Sequence, residues 1–250
     1  MKNFSVVVCV AVGCFLAVPA AAQDKGWIDV NFGTARAAED GYSTSVSLRQ
    51  FSETATFSSD YAFPRGASFD FGGGFMFTPV LGVGVNLQGT SSQAPPALSI
   101  RIPHPNFFNT FATDTTLGDT QLTRAEGSIN LQAMVVATPH SKRLRVRFFG
   151  GPAYFRVTQD TVDDIGYSQN FQVFGRGNVV DITTFEASEA VGTGWGFHGG
   201  GDVAYFFNRI IGVGGFARFS RGNVELADFS GAYQVKAGGF QSGGGLRLRF

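Results

Sequence analysis

The chain has 250 residues, 19 of them basic and 19 acidic, for a formal net charge of zero. With charged residues at 15% and no basic run, nothing marks a nucleic-acid partner. No apolar run past the N-terminal segment is long enough to cross a bilayer as a helix, yet 34 Gly and 27 Phe leave many rings to be hidden from water, in a core or in lipid.

The chain begins with Met1, Lys2 and Asn3, a short positive start, followed by an apolar run over 4–18 and three small residues at 20–22. This is the pattern of a secretory signal peptide. Residues 1–22 are expected to be cleaved, leaving 23–250 as one β-domain of about 228 residues. The run is short for an anchor across a ~30 Å hydrocarbon core. Cys14 follows Gly13, faintly like a lipoprotein acylation site, but 20–22 is the better cut. Cys9 and Cys14 both lie in the segment to be removed, so neither a disulfide nor a thiolate metal site is expected.

From there the chain alternates with a period of two, the mark of strands with unlike faces. Over 27–34, Ile28, Val30 and Phe32 oppose Asp29 and Asn31. A polar stretch over 35–65 follows, with an extended part at 43–57 expected to prolong two strands. Over 67–77, Phe69, Phe71, Phe75 and Phe77 oppose Ser68, Asp70 and Met76. After a break at Thr78 and Pro79, Val83, Val85 and Leu87 oppose Gly84, Asn86 and Gln88. A segment with Pro95, Pro96, Pro103 and Pro105 reads as irregular to about Thr123. Over 125–137, Ile129, Leu131 and Val135 oppose Glu126, Ser128, Asn130 and Gln132. A turn at 138–141 leads to 143–157, where Leu144, Val146 and Phe148 oppose Arg143, Arg145 and Arg147. After a third long segment to about Thr193, Trp195, Phe197, Val203 and Tyr205 oppose His198 and Asp202. A tight turn at Asn208 and Arg209 leads to Ile211, Val213 and Phe219, opposed by Phe216 and Arg218. A fourth connection, 221–237, precedes a last strand in which Phe240, Leu246, Leu248 and Phe250 oppose Gln241, Arg247 and Arg249.

The reading is all-β, with eight antiparallel strands joined alternately by long and short connections. Three short turns and four long loops on opposite rims are the asymmetry of membrane barrels. A soluble barrel of the lipocalin kind would turn its bulky apolar face inward. An eight-strand interior is narrow, and the small and charged residues of the other face suit it better than rows of Phe. Trp27, Phe77, Tyr205, Phe207 and Phe250 are expected as an interfacial girdle at the short-turn ends.

The apolar last strand ending in Phe250 resembles the closing strand of bacterial outer-membrane β-barrels. With the 20–22 cut and the strand rhythm, the chain is most similar to the small-barrel class that includes the opacity-type proteins and the membrane domain of OmpA. The resemblance implies an eight-stranded transmembrane up-and-down barrel in the cell outer membrane, with short periplasmic turns and four long extracellular loops. It implies contact with outer-membrane lipid and lipopolysaccharide. It also implies that barrel-assembly machinery reads Leu246, Leu248 and Phe250. With no peptidoglycan-binding domain after Phe250, the wall-tethering role of OmpA-type proteins is not expected.

No catalytic constellation, cofactor motif or metal site emerges. His104, His140 and His198 have no marked nucleophile, and Asp160, Asp163 and Asp164 match no calcium loop. Charges inside so narrow a barrel must be paired. Arg147 with Asp202, and Asp29 with Arg247 or Arg249 across the seam, are the expected interior salt bridges. Paired charges make a plug, so a structural or surface-interaction role without catalysis is expected. The alternatives are a small-solute channel and, further off, an enzyme that modifies lipid A. The second long loop carries Phe107, Phe108 and Phe111 behind Pro103. An ordered 103–111 is expected there, with at least two rings buried against the barrel mouth or another loop, as the loop surface open to a ligand the sequence does not name.

Overall fold

The computed structural model of the chain describes residues 25–39, 41–138, 140–141, 143–228 and 231–250. The signal segment, both cysteines and Pro139 lie outside them. Among the described residues twelve strands form where the alternation predicts eight. They are β1 (Gly26–Ala37), β2 (Gly41–Gln50), β3 (Glu53–Ala62), β4 (Gly66–Met76), β5 (Leu81–Ala94), β6 (Ala97–Pro103), β7 (Phe111–Leu117), β8 (Leu122–Val136), β9 (Leu144–Phe171), β10 (Asn178–Phe206), β11 (Ile211–Asp228) and β12 (Gly231–Arg249). Eight of them form a closed barrel in the order β1-β12-β11-β10-β9-β8-β5-β4, with β4 returning to β1. The others form a separate sheet, β2-β3-β6-β7.

The extra strands come from two expected loops. The stretch 35–65 does not prolong barrel strands over 43–57. It folds as the β2–β3 hairpin and pairs with β6, because Tyr42, Val46, Phe57 and Tyr61 give it an apolar face of its own. The segment after β5 is not irregular, because its prolines punctuate strands rather than interrupt them. Pro95 and Pro96 fall between β5 and β6, Pro103 ends β6, and Pro105 lies in the following tip. Proline costs no ladder hydrogen bond at such places. Between them Leu98, Ile100 and Ile102 are buried.

The third and fourth expected loops are continuations of barrel strands. β9 and β10 stay paired from Leu144↔Tyr205 to Phe171↔Asn178, with register shifts near Ile182 and Glu186. β11 and β12 stay paired to Asp228↔Gly231. Asp160, Asp163 and Asp164 therefore lie on a strand and not in a loop.

Along these long strands the alternation inverts without losing its period. Near the short turns the outward face is apolar and exposed, as at Phe148, Val203, Val213 and Leu246, and the inward face is polar and buried, as at Arg147, Asp202, Arg218 and Arg247. Higher up, the inward residues are Ala153, Phe155, Val157, Ala190, Val224, Leu226, Val235 and Ala237, packed as one apolar cluster. There the outward residues are Arg156, Glu189, Arg221, Asn223 and Glu225. The lower barrel is built for apolar surroundings and the upper barrel for water.

Two rows of outward aromatics bound the apolar zone, not one. Phe75–Phe77 and Tyr205–Phe207 lie near the short turns, with ring centroids 5.9 and 5.8 Å apart. Phe32–Phe69 and Tyr154–Trp195 lie above, at 5.2 and 5.1 Å. From Trp195 to Tyr205 is ten residues, about 33 Å of strand and about 25 Å of height at a tilt near 40°. Trp27 does not belong to either row. It shares the parity of Asp29, points inward and is 3% exposed. Gly74 and Gly84 make room for it: a Cβ on Gly84 would stand 2.6 Å from the Trp27 ring.

Above the barrel, the β2-β3-β6-β7 sheet packs its apolar face on the projecting β9–β10 hairpin. Ala55, Tyr61, Leu98, Ile100, Ile102 and Ala112 meet Val162, Ile165 and Val180 in one core. The Val162 N–H donates to Tyr61 Oη at 2.7 Å.

Candidate functional site

The barrel interior holds three tiers of buried ion pairs. In the lowest, Arg147 reaches Asp202 Oδ1 at 2.5 Å and Asp29 Oδ2 at 2.7 Å. Arg247 pairs with the other oxygen of Asp202 and stands 3.5 Å from Asp29 Oδ1. Two guanidinium groups and two carboxylates thus close a ring. Arg247 also donates to Asn31 Oδ1 at 2.5 Å, and Asn31 donates to Asp70 Oδ1 at 2.7 Å. Asp70 anchors the middle tier, with Arg218 at 2.6 Å and Asn86 at 2.8 Å. In the highest tier Arg124 holds Glu126 at 2.8 Å and Gln159 at 2.9 Å, while the Gly238 N–H donates to Glu126 Oε2 at 2.7 Å.

All of these come from the inward parity of their strands. The structure brings Asp29, Arg147, Asp202 and Arg247 together. Arg249 does not join that ring: it donates to the Arg209 carbonyl at 2.8 Å and lies 4.1 Å from the Phe206 ring. Leu246 and Leu248 face outward on β12, as their parity requires, and Phe250 follows directly after it, its ring 42% exposed and its carbonyl accepting from Gly26 N–H at 2.7 Å. Sequence reasoning missed Arg124 because the strand was begun one residue too late. Glu126 two positions on, with the same parity, was the available signal.

The four tiered carboxylates match four arginines, so the interior carries no net charge from them. The cavity between Trp27, Asp29, Asp70, Arg147, Asp202 and Arg218 is about 20 Å³. That is room for about one water. The arrangement can fix strands together, and it fills the bore. His198 adds to the filling by donating from Nε2 to the Leu131 carbonyl at 3.1 Å.

A second region lies at the far end of the hairpins. Pro103 ends β6, and His104 is buried between the edges of Phe107 and Phe171, at 5.0 and 5.7 Å. The segment 103–111 has a defined fold, but its rings are less covered than the sequence suggests. Phe107 and Phe111 are half-buried, Phe111 under Arg101 at 3.3 Å, and Phe108 is 72% exposed. The reason is position: the segment is a hairpin tip standing away from the barrel, not a flap over its mouth. Asn109 N–H donates to Glu53 Oε1 at 2.9 Å. Gln50 Nε2 donates to Tyr167 Oη at 2.9 Å, and Gln169 Nε2 to the Pro103 carbonyl at 3.1 Å. The tips of β2–β3, β6–β7 and β9–β10 are therefore gathered at one level.

No known family profile matches the chain, and no curated protein matches its sequence. Among solved structures it is similar to the outer membrane protein OprG from Pseudomonas aeruginosa, at 10% identity and a TM-score of 0.44 over 91% of this chain and 96% of that one. It is similar to Ail, the attachment invasion locus protein of Yersinia pestis, at 12% and 0.42 over 90% and 99%. It is similar to the outer membrane protease OmpT from Escherichia coli, at 13% and 0.46 over 94% and 99%.

Proposed function

We propose that the chain is a bacterial outer-membrane β-barrel of the small class that includes the opacity-type proteins. In this reading it anchors a rigid β-structure outside the cell and has no catalytic step of its own. The observation that carries it is the inversion of the strand pattern. Only a medium that is apolar at the lower barrel and aqueous at the upper one rewards both halves of the same strand. Closure satisfies the backbone groups that lipid cannot, and an apolar band about 25 Å tall is the height such barrels present. The short turns then face the periplasm and the long hairpins the outside, amid outer-membrane lipid and lipopolysaccharide. Leu246, Leu248 and Phe250 serve barrel assembly.

The three tiers of ion pairs support a plug over a channel. The test is the purified protein refolded in detergent and then placed in a planar bilayer. A heat-modifiable gel shift and no stable conductance are expected. A steady open pore would overturn the plug, and the absence of any folded band in detergent would overturn the barrel.

A further inference from the structure

Three hairpin tips come together far from the barrel, and each carries an uncovered phenylalanine at its apex. Phe174 is 99% exposed and Phe108 72%, and Phe51 is also exposed, with Val173 beside Phe174. Phe51 and Ser52 form the β2–β3 turn with φ of 50° and 65°. Asn and Gly adopt that turn cheaply, whereas a bulky ring there is an outlier. Water gives no reason to keep an aromatic at a position that disfavours it. The segments 49–53, 101–111 and 169–180 contain three arginines, Arg49, Arg101 and Arg176, all exposed, and one carboxylate, Glu53, engaged by the Asn109 N–H. The next carboxylates, Asp114 and Asp181, stand a tier lower.

We infer that this aromatic apex with its basic collar docks on an anionic phospholipid bilayer, one apposed to the membrane that holds the barrel. The inference rests on the outer-membrane reading above. Its own membrane is out of reach, because β9 runs on from the upper aromatic row at Tyr154 to Phe171, about 55 Å of strand. The shape favours lipid over a protein surface. Separate convex apices would each need a matching pocket in a protein, whereas a fluid interface yields to all three. Aromatic rings settle at that interface, and arginines just behind them meet the phosphates and anionic headgroups.

The experiment uses the whole barrel in nanodiscs of phosphatidylcholine, mixed with vesicles of phosphatidylcholine with or without phosphatidylserine, and separated by flotation. The wild type should float with the phosphatidylserine vesicles and much less with neutral ones, and added salt should weaken the association. The triple variant Phe51→Ser, Phe108→Ser, Phe174→Ser should lose roughly tenfold or more of the bound fraction, and Arg49→Gln with Arg176→Gln a smaller share. Phe174→Trp should show quenching by brominated lipid. Each variant is first checked for its heat-modified gel shift, which reports the barrel separately from docking. A folded wild type that stays with its nanodisc at every vesicle composition overturns the inference, as does a triple variant that floats like the wild type. Binding to whole cells that protease treatment abolishes, without vesicle flotation, would assign the apex to a protein partner instead.

Discussion

Asp202 is the residue on which the lowest interior tier turns. Each of its oxygens accepts from a different arginine, Arg147 and Arg247, and it is 4% exposed. Removing it would leave two guanidinium groups to share Asp29 in a confined space. Losing one partner of a buried pair costs about 3–5 kcal/mol, so Asp202→Ala should lower the unfolding free energy by that order in urea titrations of the refolded barrel. Arg247→Glu should do more harm, because it sets a third carboxylate beside Asp29 and Asp202. Its heat-modified band is expected to weaken or vanish. Trp27 makes the complementary case, since it fits only because Gly74 and Gly84 have no side chains. Gly84→Val would set its Cβ 2.6 Å from both the Trp27 ring and the Gly73 carbonyl. Overpacking of this kind costs about 1–3 kcal/mol, which the same titration would read.

At the scale of the element, the β1–β2 connection is tied to β12 by Glu39 and Lys236, 2.6 Å apart. Partial burial pushes the Glu39 carboxyl up, but hydrogen bonds and charge from Lys236 more than offset this and hold it below its ordinary 4.5. A depressed carboxylate stabilises the fold above its unfolded value and stops doing so as pH falls through its folded one. Protection of the Lys236 amide, which donates to Glu39 Oε2 at 3.3 Å, should therefore drop in hydrogen exchange below pH 4.5. Glu39→Gln should remove that step. Chymotrypsin should cut first at Phe174 and slowly within 103–111. The barrel strands were legible because each keeps unlike faces with a period of two. Trp27 was misplaced by residue type, although its parity with Asp29 pointed inward. The upper halves of β9 to β12 were hidden because their faces exchange roles near Ala153, so a search for one constant apolar face loses them there. β6 and β7 were hidden by prolines, which mark strand ends as readily as loops. The tiers of the interior were half legible: parity selects the inward charges, but which carboxylate meets which arginine depends on the stagger between strands.

For the whole molecule, the barrel and the outer sheet depend on each other unequally. The barrel ladders close below the hairpins, whereas the β2-β3-β6-β7 sheet buries most of its apolar face against β9–β10. Replacing 158–191 by a short turn should leave a heat-modifiable barrel, while tryptic cleavage at the exposed Arg49 and Arg101 speeds up because their sheet loses the Val162, Ile165 and Val180 packing that orders it. Tyr42 reinforces the outer assembly: it stacks on Tyr61 at 4.5 Å and on Tyr233 of β12 at 5.3 Å. Burial first, then the hydrogen bond to Tyr233, pushes its hydroxyl far above the usual phenol range, so it stays neutral at any physiological pH. The β9–β10 ribbon runs from the short turns to the hairpin apex on continuous strands. A pull at the apex is therefore carried along the strand axis into the barrel wall, where it shears the hydrogen bonds to β8 and β11 together. Bonds loaded side by side yield at far greater force than bonds peeled one at a time, so the ribbon resists a pull along its axis better than a pull across it.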